Sequence, residues 1–124
     1  MNEWLAQRAA EPPPPAPPCP PSEGPEWHGG GTIDQGGVRI AVYAGRGQLQ
    51  QCYSWFVVQH GPVSVEARVR FVVHRDGKVG RIDACLSVED PELAECIEQV
   101  FRALQLPAPK GGRVRVFYPV SFSL

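Results

Sequence analysis

The chain has 124 residues, enough for one small domain with one modest hydrophobic core. Twelve basic and 13 acidic side chains leave a net charge of -1, which excludes the strongly basic composition of a nucleic-acid-binding domain or a polybasic membrane anchor. The first eleven residues include Glu3, Arg8 and Glu11 and hold no apolar run of signal-peptide or membrane-span length, so we expect no export signal and no membrane insertion.

The N-terminal quarter is rich in proline and then in glycine. Pro12 to Pro25 reads "PPPPAPPCPPSEGP", which predicts an extended polyproline II spacer because proline fixes φ and removes backbone donors. The glycines that follow predict flexible coil. We therefore expect a disordered linker over residues 1–33 and a folded domain over residues 34–124.

The first periodic segment runs from about Gln35 to Gln59 and predicts a helix, with Asp34 as its N-cap. Gly45 and Gly47 each cost roughly 1 kcal/mol relative to alanine in a helix interior, which weakens the first half of the prediction. The apolar positions at helical spacing are Val38, Ala41, Val42, Leu49, Cys52, Tyr53 and Phe56.

Two strands joined by a hairpin follow. The segment from Val63 to Val73 alternates apolar and polar residues, the pattern of a strand with one buried face. Asp76 and Gly77 are expected in the positive-φ positions of the turn. The second strand spans about 79–87, with Ile82, Ala84 and Leu86 facing inward and Cys85 facing outward.

A second helix and a last strand complete the chain. Asp90 is the predicted N-cap, Pro91 the first helical residue and Pro107 the stop. The helical stripe consists of Leu93, Cys96, Ile97, Val100, Phe101 and Leu104. The last strand, from about Arg113, alternates Val114, Val116, Tyr118, Val120 and Phe122 with Arg113, Arg115, Phe117, Pro119 and Ser121.

The order helix, strand, strand, helix, strand predicts a two-layer α+β fold. A hairpin followed by a helical crossover returns the last strand beside the first, which gives a three-stranded antiparallel sheet in the order 2-1-3 with both helices on one face. The other face stays open and shows Arg68, Arg70, Asp83, Arg113 and Arg115.

The four cysteines predict no metal site, because there is no C-x-x-C pair and no histidine at ligand spacing. Each helical stripe carries one cysteine, Cys52 and Cys96, which form a disulfide if the helices lie side by side; two separate core thiols are the alternative. A bridge would stabilise the domain by about 3–4 kcal/mol. Cys85, facing outward, and Cys19, in the linker, are predicted to be free or intermolecular thiols.

Several short motifs together resemble a known family. They are "CY" at Cys52, "DGKV" at Asp76, the mid-helix Cys96, "LPAPKGG" at Leu106 and "YPVSF" at Tyr118. In order and spacing they are similar to the AgmX/PglI C-terminal domain of the TonB C-terminal-like superfamily, over about residues 32–124. The "AVYAGRG" stretch of the first helix and Leu106, where the family usually has phenylalanine, depart from that pattern.

The resemblance implies a periplasmic domain of a myxobacterial envelope protein linked to gliding motility, carried on a proline-rich linker behind a membrane anchor. The linker is present in this sequence and the anchor is not. It also implies a protein-interaction module, in which a sheet edge receives an extended partner segment as an added strand.

Pro119 supports such an edge independently, because proline within a sheet is confined to edge strands, strand ends and bulges. The last strand is therefore expected at the free edge, with a protein partner pairing along Arg113, Val114, Arg115, Val116, Phe117 and Tyr118. Alternatively, Pro119 only blunts the edge against aggregation. A homodimer formed through the edge or through Val72 and Phe117 on the open face is a further alternative.

No catalytic site is expected. The candidate groups are Cys52, Cys85, His60 and His74, but no nucleophile has a base within a reach that the sequence shows. Each histidine is interpreted as a solvated turn or strand residue. The sequence predicts no cofactor, since "GGG" at residues 29–31 follows no strand and lacks a phosphate-binding context.

Overall fold

The computed structural model describes residues 26–123, and the predicted proline-rich spacer lies outside them. The four strands are Glu26–His28 (β1), Val65–Val73 (β2), Val79–Leu86 (β3) and Val114–Phe122 (β4). The three helices are Gln35–Ala44 (α1), Arg46–His60 (α2) and Pro91–Arg102 (α3).

The strands form one antiparallel sheet in the order β1-β4-β2-β3. The predicted arrangement of the three long strands is confirmed, since β2 lies between β3 and β4. The expected number of strands is wrong, because β1 adds a fourth beside β4. β1 lies within residues 1–33, so the predicted linker includes sheet residues. Three residues show no alternation long enough to predict a strand, and the neighbouring glycines and prolines favour coil.

The core lies between the sheet and the helices. The inward residues of β2, from Val65 to Val73 in steps of two, are all buried. Phe71 contacts Phe101 of α3 with ring centroids 5.6 Å apart, and Tyr53 of α2 stacks on Phe122 of β4 at 5.4 Å. α2 and α3 therefore cover the same sheet face, as the alternation predicted. The opposite sheet face lies outside this core.

The first predicted helix is interrupted. α1 ends at Ala44 and α2 begins at Arg46, with Gly45 buried between them. A Cβ on Gly45 would lie 2.9 Å from Leu104 Cδ2, so the break brings the backbone close to the end of α3. In the described part of the chain no helix is both long and apolar enough to cross a bilayer.

The two predicted N-caps differ. The Asp90 side chain accepts a hydrogen bond from the Leu93 N–H at 3.0 Å and caps α3 as expected. Asp34 occupies the N-cap position of α1 with extended backbone, but its side chain makes no capping bond.

The hairpin between β2 and β3 closes at Asp76 and Gly77. The Asp76 carboxylate accepts from the Lys78 N–H at 3.0 Å, and the His74 N–H donates to the Lys78 carbonyl at 2.9 Å. Gly77 has φ 82° as predicted, while Asp76 is not in the positive-φ region. The turn therefore uses one glycine with positive φ and an aspartate whose side chain accepts a hydrogen bond from the backbone N–H two residues later.

Candidate functional site

A disulfide joins the two helical segments of the core layer. Cys52 of α2 and Cys96 of α3 are bonded, with their Cα atoms 5.9 Å apart. The predicted bridge is confirmed, and the alternative of two separate core thiols is wrong. The bond spans 44 residues of sequence, so it fixes the relative position of α2 and α3 above the sheet.

Cys85 is also disulfide-bonded. Of the two predicted states, a free thiol and an intermolecular one, the free thiol is therefore wrong for this residue. Its position opposite Arg68 on β2 places it on the open face of the sheet, as its strand phase predicted. Cys19 lies outside the described residues. The sequence alone does not show whether an outward-facing cysteine on a strand has another cysteine within bonding distance.

β4 is not an edge strand where the sequence placed the partner site. β1 pairs with it in antiparallel register, with Glu26 opposite Phe117, Trp27 opposite Val116 and His28 opposite Arg115. The predicted free edge along Arg113 to Tyr118 is therefore partly occupied by the chain's own N-terminal strand.

The predicted partner-binding residues divide between the two sheet faces. Val114 and Val116 are buried in the core, and Tyr118 faces Phe101 with ring centroids 6.4 Å apart. Arg115 and Phe117 lie on the open face, which follows from their positions opposite Val72 and Arg70 of β2. An added strand would therefore contact these residues through its backbone, while its side chains alternate between the core and the open face.

A close backbone crossing holds β1 in place. Thr32 and Lys110 exchange two backbone hydrogen bonds, of 2.8 and 2.7 Å. Just before this bridge, a Cβ on Gly31 would lie 2.1 Å from the Gly112 carbonyl oxygen. No side chain fits at Gly31 unless the two segments separate, so glycine at this position allows the chain that follows β1 to pass close to the segment before β4.

At the opposite edge of the sheet, a helix lies against the edge strand. The Ala84 N–H on β3 donates to the Glu98 carboxylate of α3 at 3.1 Å. A backbone donor at this edge thus has a side-chain acceptor, and α3 lies against the strand that carries it. The two edges of the sheet differ, since β3 is covered by a packed helix and β4 by a strand of three residues.

The open face is a shallow, mostly cationic surface. Arg70 pairs with Asp83 across β2 and β3, and the His28 ring meets the Phe117 ring edge-on with centroids 5.6 Å apart. The groove at the centre of this face is lined by Arg70, Val72, Arg81, Asp83, Arg115 and Phe117. Its three arginines against one aspartate favour contacts with acidic groups.

The titratable groups show no catalytic arrangement in the described residues. His60 Nε2 lies 3.3 Å from Asp90 Oδ2, so this histidine joins the end of α2 to the cap of α3 instead of being a solvated turn residue. Cys52 and Cys85 are both in disulfides and supply no thiol nucleophile. Over residues 26–123 there is no group of three or more side chains able to hold a metal ion.

Comparison with known proteins adds no family assignment. No protein-family model matches the chain, and neither the curated proteins nor the solved structures include a significant match. The similarity to the AgmX/PglI C-terminal domain therefore stays a prediction that rests on the sequence motifs.

Replacing Gly31 by alanine is expected to weaken the pairing of β1 with β4. The new Cβ has no room beside the Gly112 carbonyl, so the Thr32–Lys110 bridge must open. Each hydrogen bond lost removes about 1 kcal/mol. Deuterium uptake at Trp27 and His28 should rise in Gly31→Ala. Gly30→Ala is the matched control, because a Cβ there meets nothing within 4 Å. Equal uptake in both variants would contradict the role given to Gly31.

Proposed function

We propose that this chain is a non-enzymatic protein-interaction module that binds an extended partner segment as an added strand along β4. The observation that carries the proposal is the pairing of β1 with β4, with Glu26 to His28 opposite Phe117 to Arg115. This pairing is itself an example of strand addition: a short extended segment lies antiparallel on the outer side of β4. A partner segment would take the place that β1 occupies.

The difference between the two edges supports β4 as the binding edge. β3 is backed by α3, and its Ala84 N–H is already bonded to Glu98. A partner at β3 would have to displace a helix that is tied to α2 by the Cys52–Cys96 bond. A partner at β4 has to displace only the three residues of β1, which buries far less surface than a packed helix.

β1 also indicates the chemistry of the partner segment. Trp27 faces inward and packs against the core from a half-buried position, while His28 lies beside Phe117 on the open face. An added strand in the same register would place one large apolar side chain inward and polar or aromatic side chains outward. Pro119 lacks a backbone N–H, so we expect the added strand to lie upstream of it, along Arg113 to Tyr118.

The resemblance supplies the proposed setting. A TonB-like module on a proline-rich linker acts in the periplasm of an envelope complex, and the strand-addition mode proposed here is the one that the superfamily uses. The disulfides at Cys52–Cys96 and at Cys85 agree with an oxidising compartment, where such bonds form and persist.

A peptide added to a variant with displaced β1 tests the binding edge. In Trp27→Asp, a carboxylate replaces the half-buried ring and β1 should leave β4. A labelled peptide of residues 22–33 should then bind in trans and shift the amide resonances of Arg115, Val116 and Phe117. The wild type should bind the peptide about tenfold more weakly or worse, because its own β1 competes with a closing free energy of at least about 1.4 kcal/mol.

The control peptide carries aspartate in place of its tryptophan and should not bind either protein. Resonance shifts on the β3 edge or on the helices would contradict β4 as the binding edge, and so would a failure of the wild-type peptide to bind Trp27→Asp. Circular dichroism of the variant first establishes that its helical layer is intact.

Homodimerisation is the second candidate function, and one surface favours it. α1 exposes Ile40 and Tyr43 and α2 exposes Trp55 and Val58, each between 60% and 84% accessible. From Gln35 to His60 these helices contain no acidic residue and only two arginines, so two copies would meet here with little charge to desolvate.

Sedimentation velocity over a range of concentrations tests the dimer. If the helix face pairs, the wild type should shift to a larger species with rising concentration, and the double change Trp55→Gln and Val58→Gln should remain monomeric. Gln99→Ala, an exposed change on α3, is the control and should behave as the wild type. A wild type that stays monomeric at the highest concentration rules out this function.

A further inference from the structure

Two exposed arginines lie at the start of β4, beside the place that a partner strand would take. Arg115 is the second residue of β4, and Arg113 comes two residues before it, on the same face of an extended chain. Within residues 26–123, neither guanidinium group takes part in an ion pair or a side-chain hydrogen bond. From Gln99 to Ser123 the sequence contains no acidic residue, so β4 and the segment before it supply no counter-charge.

β1 places a histidine, not an acid, opposite Arg115. The His28 ring contacts the Phe117 ring edge-on, with centroids 5.6 Å apart. The preceding residue, Trp27, lies opposite Val116 and packs against the core. β1 thus fills the inward apolar position on β4 and leaves the outward position beside Arg115 without a carboxylate.

We propose that the partner segment carries an acidic residue directly opposite Arg115, immediately after the large apolar residue that lies opposite Val116. This inference rests on the proposed function and names the chemistry of the segment that would replace β1. Residues directly opposite in an antiparallel pair have Cβ atoms about 4.5–5.5 Å apart, and diagonal neighbours about 7–8 Å. A carboxylate at this position is therefore within reach of Arg115 directly and of Arg113 diagonally, and both can donate charge-assisted hydrogen bonds to it.

The acidic side chains near these arginines are already engaged. On the open face, Asp83 is paired with Arg70. At the β2–β3 turn, the Asp76 carboxylate accepts a hydrogen bond from the Lys78 N–H, and Arg75 lines the same open depression as Arg113. The charge that faces an added strand at the start of β4 is therefore positive. It favours a carboxylate there and disfavours a lysine or arginine, since like charges directly opposite destabilise a strand pair.

Substitution of His28 in the full-length chain tests the charge pairing without a partner. In His28→Glu a carboxylate lies opposite Arg115, whereas the glutamine in His28→Gln has the same length and no charge. The exchange protection of the Trp27 amide should be about threefold higher in His28→Glu at about 0.01 M ionic strength. It should be equal in both at about 1 M, because the Debye length falls from about 30 Å to about 3 Å.

Removal of the arginines identifies the source of the effect. The threefold difference should vanish when Arg113→Gln and Arg115→Gln are combined with each His28 variant. Arg81→Gln is the matched control and should leave the difference unchanged, because Arg81 is exposed on the same face but on β3, three strand spacings or roughly 14 Å from β1. Equal protection in His28→Glu and His28→Gln, or a difference that persists without Arg113 and Arg115, would overturn the inference.

Peptide binding separates this inference from the proposed function. The peptide of residues 22–33 is offered to Trp27→Asp in three forms: natural, with His28→Gln and with His28→Glu. The glutamate form should bind about threefold more tightly than the glutamine form at low ionic strength. If these two forms bind equally, the acidic preference is wrong and strand addition at β4 stands. If no form binds, both proposals are wrong. Tightest binding of the natural form would favour β1 of a second copy as the occupant and would also overturn the acidic partner.

Discussion

The structure depends on the pairing of β2 with β4. All nine residues of β2 lie opposite residues of β4, from Val65 with Phe122 to Val73 with Val114. This pairing brings the last strand beside the first long one, and it creates the continuous apolar face on which α2 and α3 pack through Tyr53 and Phe101. The other edge of β4 does not pair with β2, and β1 pairs there. The pairing of β2 with β4 therefore determines both where the helices pack and where the candidate binding edge lies.

The two edges of the sheet, at β3 and at β4, are covered in different ways. The Cys52–Cys96 bond holds α2 and α3 together, and Glu98 on α3 accepts the Ala84 N–H at the β3 edge. At that edge α3 lies against β3, and one backbone donor, the Ala84 N–H, already has an acceptor. Among the described residues, the β4 edge is covered by β1, which pairs with Phe117 to Arg115 and is followed by the two backbone hydrogen bonds between Thr32 and Lys110. The proposed strand addition requires a sheet edge that a partner segment can reach, and β4 is the edge proposed for it.

Sequence periodicity predicted the elements that bury a face. The alternation in β2 and β4 and the helical stripe around Ile97 gave the long strands, their order and the layer on one face, because burial imposes those periods. Placing Cys52 and Cys96 on stripes that cover one sheet face made their bond one of two predicted alternatives, and the structure shows the bond. β1, the break at Gly45 and the bond of Cys85 were not predictable in this way. β1 and the break at Gly45 depend on contacts between distant segments, Gly31 with Gly112 and Gly45 with Leu104, that leave no periodic signal.

The central claim is that β1 is a replaceable strand on a stable sheet. Native-state hydrogen exchange measured at increasing denaturant tests it most directly, because it gives the opening free energy of each amide. The account predicts that the β1 amides of Trp27 and His28 exchange through a local opening, at a free energy well below that of Val69 and Phe71 in β2, which should exchange only with global unfolding. If Trp27 and His28 opened only together with β2, β1 would be an integral part of the sheet and the β4 edge would not be available to a partner.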